Sequence, residues 1–398
     1  MRRILCLLIA LAAVTPSVTA LAQPAADSSA GRQAVLAEAR HLKSLYKTDE
    51  AIEKLSALVR PESFDEEVFA ELADCHFISS DYETAAGTYQ MLSLQNPGNL
   101  FYSIRLMQLA FRMKAYPQCA ELGREVLARD SIPAIAALTG DAYNLAGIAD
   151  SAKVCYRQAL ALKPHNDVVV SKLANIMLSE KDYDGVLELS SDYLSLDPEN
   201  MTVLPIHGLA YYLKAEYDSS LTVFLKVEEL GDDSYPIHYY TGQSYWKTRV
   251  PYRAERELER AWAIDSSDAN LAWAIAAVKS EMMRPFEEHV KPWLEKAEAM
   301  IRPDSSLVSR IHQQYGTGYY AMEQFDKAIS HYQQAYSYDP AYIQAISTIA
   351  YCYERQKKYK LALEYYERYL TLARPGSRGY EFAKKSIEYI KGELFMEQ

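Results

Sequence analysis

The feature that most constrains this chain is an internal period of 34 residues. Leu72, Ala73, Tyr82, Ala85, Tyr89 and Pro97 recur in register as Gly140, Tyr143, Ala152, Tyr156, Ala159 and Pro164. They return as Leu173, Ala174, Tyr183 and Pro198, as Gly208, Tyr211, Tyr217 and Phe224, and as Gly242, Tyr245, Ala254 and Ala261. The pattern is clearest late, in Gly316, Tyr319, Phe325, Ala328, Tyr332, Ala335 and Pro340, then in Ala350, Tyr353, Tyr359, Ala362 and Tyr366. A period of this size means one supersecondary unit copied along the chain, each copy burying its apolar face only by stacking on its neighbours. Units starting at 32, 66, 100, 133, 167, 201, 235, 269, 309 and 343 account for residues 32–376, and 377–398 are left over.

Within a unit, apolar and small residues fall at helical spacing in two runs separated by a polar turn such as Ser79, Ser80 and Asp81. The unit is therefore a helix-turn-helix and the chain all-α. Asp81, Asp182, Asp218 and Asp326 stand where the second helix begins, where a carboxylate accepts otherwise orphan N–H groups and meets the positive end of the dipole. Pro97, Pro164, Pro198 and Pro340 fall between units, where proline ends one helix without breaking the next. Gly or Ala at the eighth position and Ala at the twentieth let the two helices approach, with tyrosine filling the space beside them. This accounts for the composition: 15 glycines in 398 residues, about 4% against a usual level of about 7%, and 32 tyrosines against 10 Phe and 4 Trp.

On these motifs the chain resembles the tetratricopeptide repeat (TPR) family, of the exported bacterial type, over residues 32–376. The resemblance implies a right-handed superhelical solenoid of about ten helix pairs, the first helix of each lining a concave groove, with capped ends. Residues 377–398 fit a C-terminal capping helix, since Tyr380, Ala383, Ile387, Ile390 and Leu394 form one apolar stripe. The unit from 269 to 308 runs six residues over the period and carries Pro285 and Pro292, so an extended inter-helix loop is expected around Met282 to Pro292.

Residues 1–22 read as a signal peptide: Arg2 and Arg3, an apolar run from Ile4 to Val14, Pro16, and Ala20-Leu21-Ala22 as a cleavage signal. The run is too short to span a bilayer. An exported, periplasmic or cell-envelope location follows as the expectation, with residues 23–31 as a flexible linker. The net charge of −11 becomes −13 once residues 1–22, with two arginines and no acid, are removed. That balance disfavours nucleic acid, whose binding depends on cations neutralising phosphates. Cys75, Cys119, Cys155 and Cys352 lack CxxC spacing and are expected as small buried residues.

No enzyme signature, cofactor site or metal site is legible, so a non-enzymatic chain without cofactor is expected. Gly316, Gly318 and Ala321 imitate a dinucleotide fingerprint, but within a helix and without the preceding strand. His207, His238 and His312 occupy positions packed between helices and are expected to be structural. Binding is better supported. In the family geometry the second, fifth, ninth and twelfth positions of each first helix face the groove. Early units place mixed residues there, including Arg40, Glu67, Asp74, Phe77, Gln108, Phe111, Asp141, Asn144 and Asn175. From the sixth unit onward the candidates are Tyr212, Tyr239, Gln243, Trp246, Trp273, Tyr320 and Tyr351. Half-exposed aromatics make strong interface anchors. No unit carries the fifth-position Lys of the co-chaperone clamp for acidic peptides. The expected role is an interaction scaffold for a peptide or protein partner, neutral or basic with apolar anchors, supporting assembly of an envelope complex. The alternatives are a self-associating surface protein, a homo-oligomer, or a glycan-binding solenoid.

Overall fold

The computed structural model describes residues 29–60, 63–301 and 305–396. The segment read as a signal peptide lies outside them, as does most of the expected linker. Residues 29–31 are an exception: they form the first turn of a helix that Arg32 ties down through Asp65 at 2.6 Å and Glu67 at 2.7 Å. The described residues form twenty-one α-helices and one π-helical turn, with no strand beyond an isolated bridge between Arg60 and Ser63.

Two compact units divide the chain at Glu180 and Lys181. The N-terminal unit contains α1 (Ser29–Ser44), α2 (Thr48–Ser56), α3 (Glu66–Ile78), α4 (Tyr82–Gln95), α5 (Leu100–Arg112), α6 (Tyr116–Leu127), α7 (Pro133–Leu145), α8 (Ala149–Leu162) and α9 (Asp167–Ser179). The C-terminal unit contains α10 (Tyr183–Leu194), α11 (Leu204–Leu213), α12 (Tyr217–Glu229), α13 (Tyr235–Lys247), α14 (Pro251–Ile264) and α15 (Ala269–Glu281). It continues with α16 (Lys291–Met300), α17 (Ser305–Ala321), α18 (Phe325–Tyr338), α19 (Gln344–Arg355), α20 (Tyr359–Leu372) and α21 (Arg378–Met396). Within each unit, helices consecutive in sequence pack on one another.

One turn recurs between the helices of a pair. Ahead of the second helix the backbone crosses into the left-handed region, two residues before it at Tyr46, Ser80, Lys114, Gly147, Lys181, Ala215, Arg249, Glu323 and Lys357, and three residues before Phe286 at Met283. Nine of these ten carry side chains. At Ser80 and its counterparts other than Lys181 the turn closes with the paired hydrogen bonds of a Schellman motif, as where Asp81 N–H donates to His76 O at 2.9 Å and Ser80 N–H to Phe77 O at 3.3 Å. Asp81 and Asp182 then cap the second helix through the N–H groups of Thr84 and Gly185. Asp218 and Asp326 do not cap. They stand at the second residue of α12 and α18, where only the dipole favours them, and Asp326 instead accepts from Gln356 at 2.9 Å.

The extended loop expected at Met282 to Pro292 does not form. Met283 takes the same left-handed turn as its counterparts, and Arg284 N–H donates to Lys279 O at 3.1 Å. Phe286–Val290 are a π-helical turn leading into α16, and Lys291 N–H reaches back to Phe286 O just before Pro292, which has no N–H to offer. The extra residues of this unit fall at its far end instead, between Met300 and a lengthened start of α17.

The close approach of paired helices is visible at the small residues. A Cβ on Gly140 would stand 2.6 Å from the Tyr156 ring, and one on Gly316 2.9 Å from Tyr332. Gly318 gives Phe286 its seat, since a Cβ there would meet the ring at 2.1 Å. The apparent dinucleotide fingerprint is thus two packing contacts on one helix. Ala85, Ala152, Ala254, Ala328 and Ala362, at the twentieth position, are all fully buried. On α21, Ala383, Ile387 and Ile390 are buried against Tyr366 and Tyr369, with Tyr380 and Leu394 beside them.

Candidate functional site

The first helices present different chemistry in the two units. In the N-terminal unit, Arg40 holds Glu67 at 2.8 Å and Glu71 at 2.5 Å, and Lys43 holds Glu71 and, at 3.3 Å, Asp74. Asp74 also takes Arg105 at 3.0 Å and the Tyr89 hydroxyl, and Arg105 lies 5.3 Å from the Phe77 ring and 5.0 Å from Phe101. Asp141 repeats the arrangement, accepting from Tyr156 at 2.8 Å and Lys172 at 2.8 Å. Burial, reinforced by these carboxylates, pushes the Tyr89 and Tyr156 hydroxyls well above the usual phenol range. The polar positions that the sequence places on this face are largely spent on one another.

In the C-terminal unit the same positions carry rings. Tyr212, Tyr239, Trp246, Trp273, Tyr320 and Tyr351 are all half-buried, and they fall into three groups. Tyr212 meets Tyr240 at 5.1 Å, Tyr240 meets Tyr239 at 5.2 Å, and Tyr239 stacks on Tyr235 at 5.7 Å. Trp246 and Trp273 lie 5.9 Å apart. Tyr320 and Tyr351 lie 6.0 Å apart, and Tyr351 meets Phe382 of α21 at 6.0 Å. Burial raises the Tyr212, Tyr239 and Tyr320 hydroxyls above their ordinary value, so these rings stay neutral at physiological pH. Gln243 is different: although at the ninth position it is 7% exposed, on a helix that packs against α11, α12 and α14. It offers no surface for a partner.

Three cations accompany the rings. Lys247 lies 5.5 Å over Trp246, and Arg310 lies 4.5 Å over Trp273 while donating to Asn270 at 3.0 Å. Arg355 lies 5.5 Å from Phe325 and pairs with Glu323 at 3.0 Å. Arg310 and Asn270 both hold the second position of their units, one of the four facing positions. The sequence reading kept only aromatics and one glutamine there and so passed over them.

The histidines are buried as expected. His207 meets Ser190 Oγ at 2.7 Å, and His312 meets His331 at 3.1 Å. His238 puts one ring nitrogen 2.9 Å from Glu257 and the other 2.6 Å from Asp233. With Glu228, His238 and Glu257 are near enough to share a cation. Arg260 already takes that place, donating to Glu257 at 3.0 Å and to Glu228, while Arg256 holds the other Glu257 oxygen at 2.7 Å. The cluster is a closed ion-pair network. Cys75, Cys119, Cys155 and Cys352 are buried and unpaired, and burial pushes the Cys75 and Cys119 thiols up to about 11 and Cys352 to about 12.

These features define an all-α protein built from stacked helix pairs, with its aromatic surface on the first helices of one unit. Residues 319–379 match the tetratricopeptide repeat family model, and helix pairs of the same plan recur throughout the described residues. Solved structures of similar fold include the C-terminal part of a TPR repeat-containing protein from Cytophaga hutchinsonii, 14% identical, covering 62% of this chain and 98% of that one with a TM-score of 0.49. A tetratricopeptide repeat protein from Parabacteroides merdae is 15% identical over 63% of this chain and 98% of its own, with a TM-score of 0.43. The Cut9–Hcn1 hetero-tetramer of the APC/C is 12% identical, covering 91% of this chain and 84% of that one with a TM-score of 0.46.

Proposed function

We propose that this protein is a non-enzymatic interaction scaffold that holds a peptide segment or protein partner on the aromatic first-helix face of its C-terminal unit. Repeats of this kind are in general a scaffold fold for protein partners. The observation that carries the reading is the contrast between the faces. Six half-buried rings line one, while ion pairs internal to the chain occupy the other. Aromatic side chains give large contact area at small entropy cost, which suits anchor residues. The N-terminal sequence supports export and a role in assembling a cell-envelope complex, and no helix among the described residues is long and apolar enough to cross a membrane.

Crosslinking in native cells identifies the partner, and capture is then repeated with Trp246→Ala/Trp273→Ala. Loss of capture with helical content unchanged is expected; undiminished capture would remove this face from the proposal. Recovery of a mature chain beginning near Gln23 from the envelope fraction tests the export reading.

Self-association is a second reading, favoured by the exposed rings of Phe382 (48%) and Tyr389 (54%) on the terminal helix. A monomeric mass in sedimentation equilibrium at high protein concentration counts against it.

A further inference from the structure

Unspent hydrogen-bond donors collect at the Trp246–Trp273 pair. On the N-terminal unit's first helices Arg32, Arg40, Lys43, Arg105 and Lys172 each hold a carboxylate. Arg310 pairs with none among the described residues. Its guanidinium lies over Trp273, 4.5 Å from the ring centre, and only Asn270 Oδ1 accepts from it, at 3.0 Å. A guanidinium offers five N–H donors in a fixed fork that matches a carboxylate, and the single bond to Asn270 leaves most of them unspent. Lys247 rests on Trp246 in the same way, with no carboxylate partner among the described residues.

A further donor lies in the same place. The Trp273 indole N–H is buried and has no acceptor among the described residues. Buried donors without acceptors are rare in folded proteins, and each calls for an explanation. The local acid does not supply one, because Asp268 already accepts from Tyr235 at 2.9 Å and from the Asn270 N–H at 2.8 Å.

Resting on the proposed binding face, we infer that the partner segment carries a carboxylate that docks on Arg310, flanked by an apolar side chain on Trp246 and Trp273. The carboxylate is that of an Asp or Glu side chain. This partner is opposite in charge to the one that the whole-chain balance of −11 favours. A contact within hydrogen-bond reach is governed by the groups at the contact, whereas the net charge acts through screened, longer-range fields.

Three synthetic peptides of equal length test the inference, alternating Phe with Asp, with Asn or with Lys, titrated into the full chain by calorimetry. The Asp peptide is expected to bind about tenfold more tightly than the Asn peptide, in keeping with a charge-assisted pair in place of a neutral one. Arg310→Gln should bring the Asp peptide down to the Asn level and leave the Asn peptide unchanged. Trp246→Ala/Trp273→Ala should weaken all three. Unmeasurable binding of the Asp peptide, tighter binding of the Asn or Lys peptide, or an Asp preference that survives Arg310→Gln each overturns the carboxylate inference. Undiminished binding by the tryptophan variant would instead overturn the binding face itself. Thermal unfolding of each variant, followed by circular dichroism, separates loss of contact from loss of fold.

Discussion

The N-terminal and C-terminal units share a helix-pair plan and differ in what their first helices carry. Residues 29–180 satisfy their polar face internally, with carboxylates such as Glu71 and Asp74 each serving two or more cations and, at Asp74, a tyrosine. Residues 181–398 put Trp, Tyr and stacked cations at the equivalent positions. A face that pairs its own charges must break those pairs to bind anything. A face of half-buried rings loses little when a partner covers it and gains apolar burial. The repeat therefore fixes where a side chain points, and the residue chosen there decides whether the surface is structural or available.

The largest test of that contrast is truncation of a ring against truncation of an ion-pair partner. Trp273 packs beside two core clusters and stacks on Trp246, so Trp273→Ala should cost about 2 to 4 kcal/mol. Arg105→Ala removes one partly exposed ion pair and two cation–π contacts, and should cost about 1 kcal/mol. Chemical denaturation measures both. A cost for Trp273→Ala no larger than that for Arg105→Ala would show that the ring adds little to the two core clusters beside it.

Acid should separate the units next. Burial lowers the proton affinity of His207, His312 and His331, that of His331 to about 4 from 6.5. Around the last two stand Glu298 of α16, Tyr315 and Tyr319 of α17, and Tyr338 and Lys327 of α18. A base whose folded value is depressed binds protons more readily when unfolded. Its contribution is whole above about pH 6.5 and declines as the pH falls toward 4. In the N-terminal unit, Arg32 holds the Asp65 and Glu67 carboxyls below their ordinary values, so their contribution persists until the pH drops below about 4. All four tryptophans, Trp246, Trp262, Trp273 and Trp293, lie in the C-terminal unit. Denaturant midpoints read by tryptophan fluorescence should therefore fall between pH 6.5 and 4, while helical signal outside that transition holds until lower pH. Parallel loss by both probes would contradict the division.

Much of this was legible in the sequence because the repeat is written in sterically demanding residues. Gly140, Gly316 and the twentieth-position alanines mark close approach, and the prolines mark the gaps between pairs. The rings were legible too, since Trp246 and Trp273 stand at facing positions. What could not be read was burial within a facing position, as Gln243 shows, because that depends on how closely neighbouring first helices pack. Nor could a count of residues locate the irregular unit's insertion. Pro285 and Pro292 signal a break, but Met283 preserves the ordinary turn and a single π-type bond absorbs the second proline. Arg310 was missed because a lone cation in an acidic chain carries no signal until its neighbours are known.

The smallest expected effect bears on what both units have in common. The turn inside each pair needs one residue at positive φ, and the chain meets that need with Tyr, Ser, Lys, Ala, Arg, Met or Glu at nine of ten positions. A side chain there brings Cβ close to the following carbonyl, at about 1 to 2 kcal/mol, whereas glycine adopts the conformation freely and loses more chain entropy on folding. At Ala215, exposed and at φ 66, replacement by glycine removes the clash and sacrifices no packing. The two terms leave a net gain of about 0.5 kcal/mol for Ala215→Gly, measurable as a higher denaturant midpoint. Ser80→Gly should give a similar gain in the N-terminal unit, since the Schellman bonds there are the same. Equal gains would show the turn to be independent of the face it supports; a gain in one unit alone would mean that the first-helix face, ionic or aromatic, determines how much strain its turns can bear.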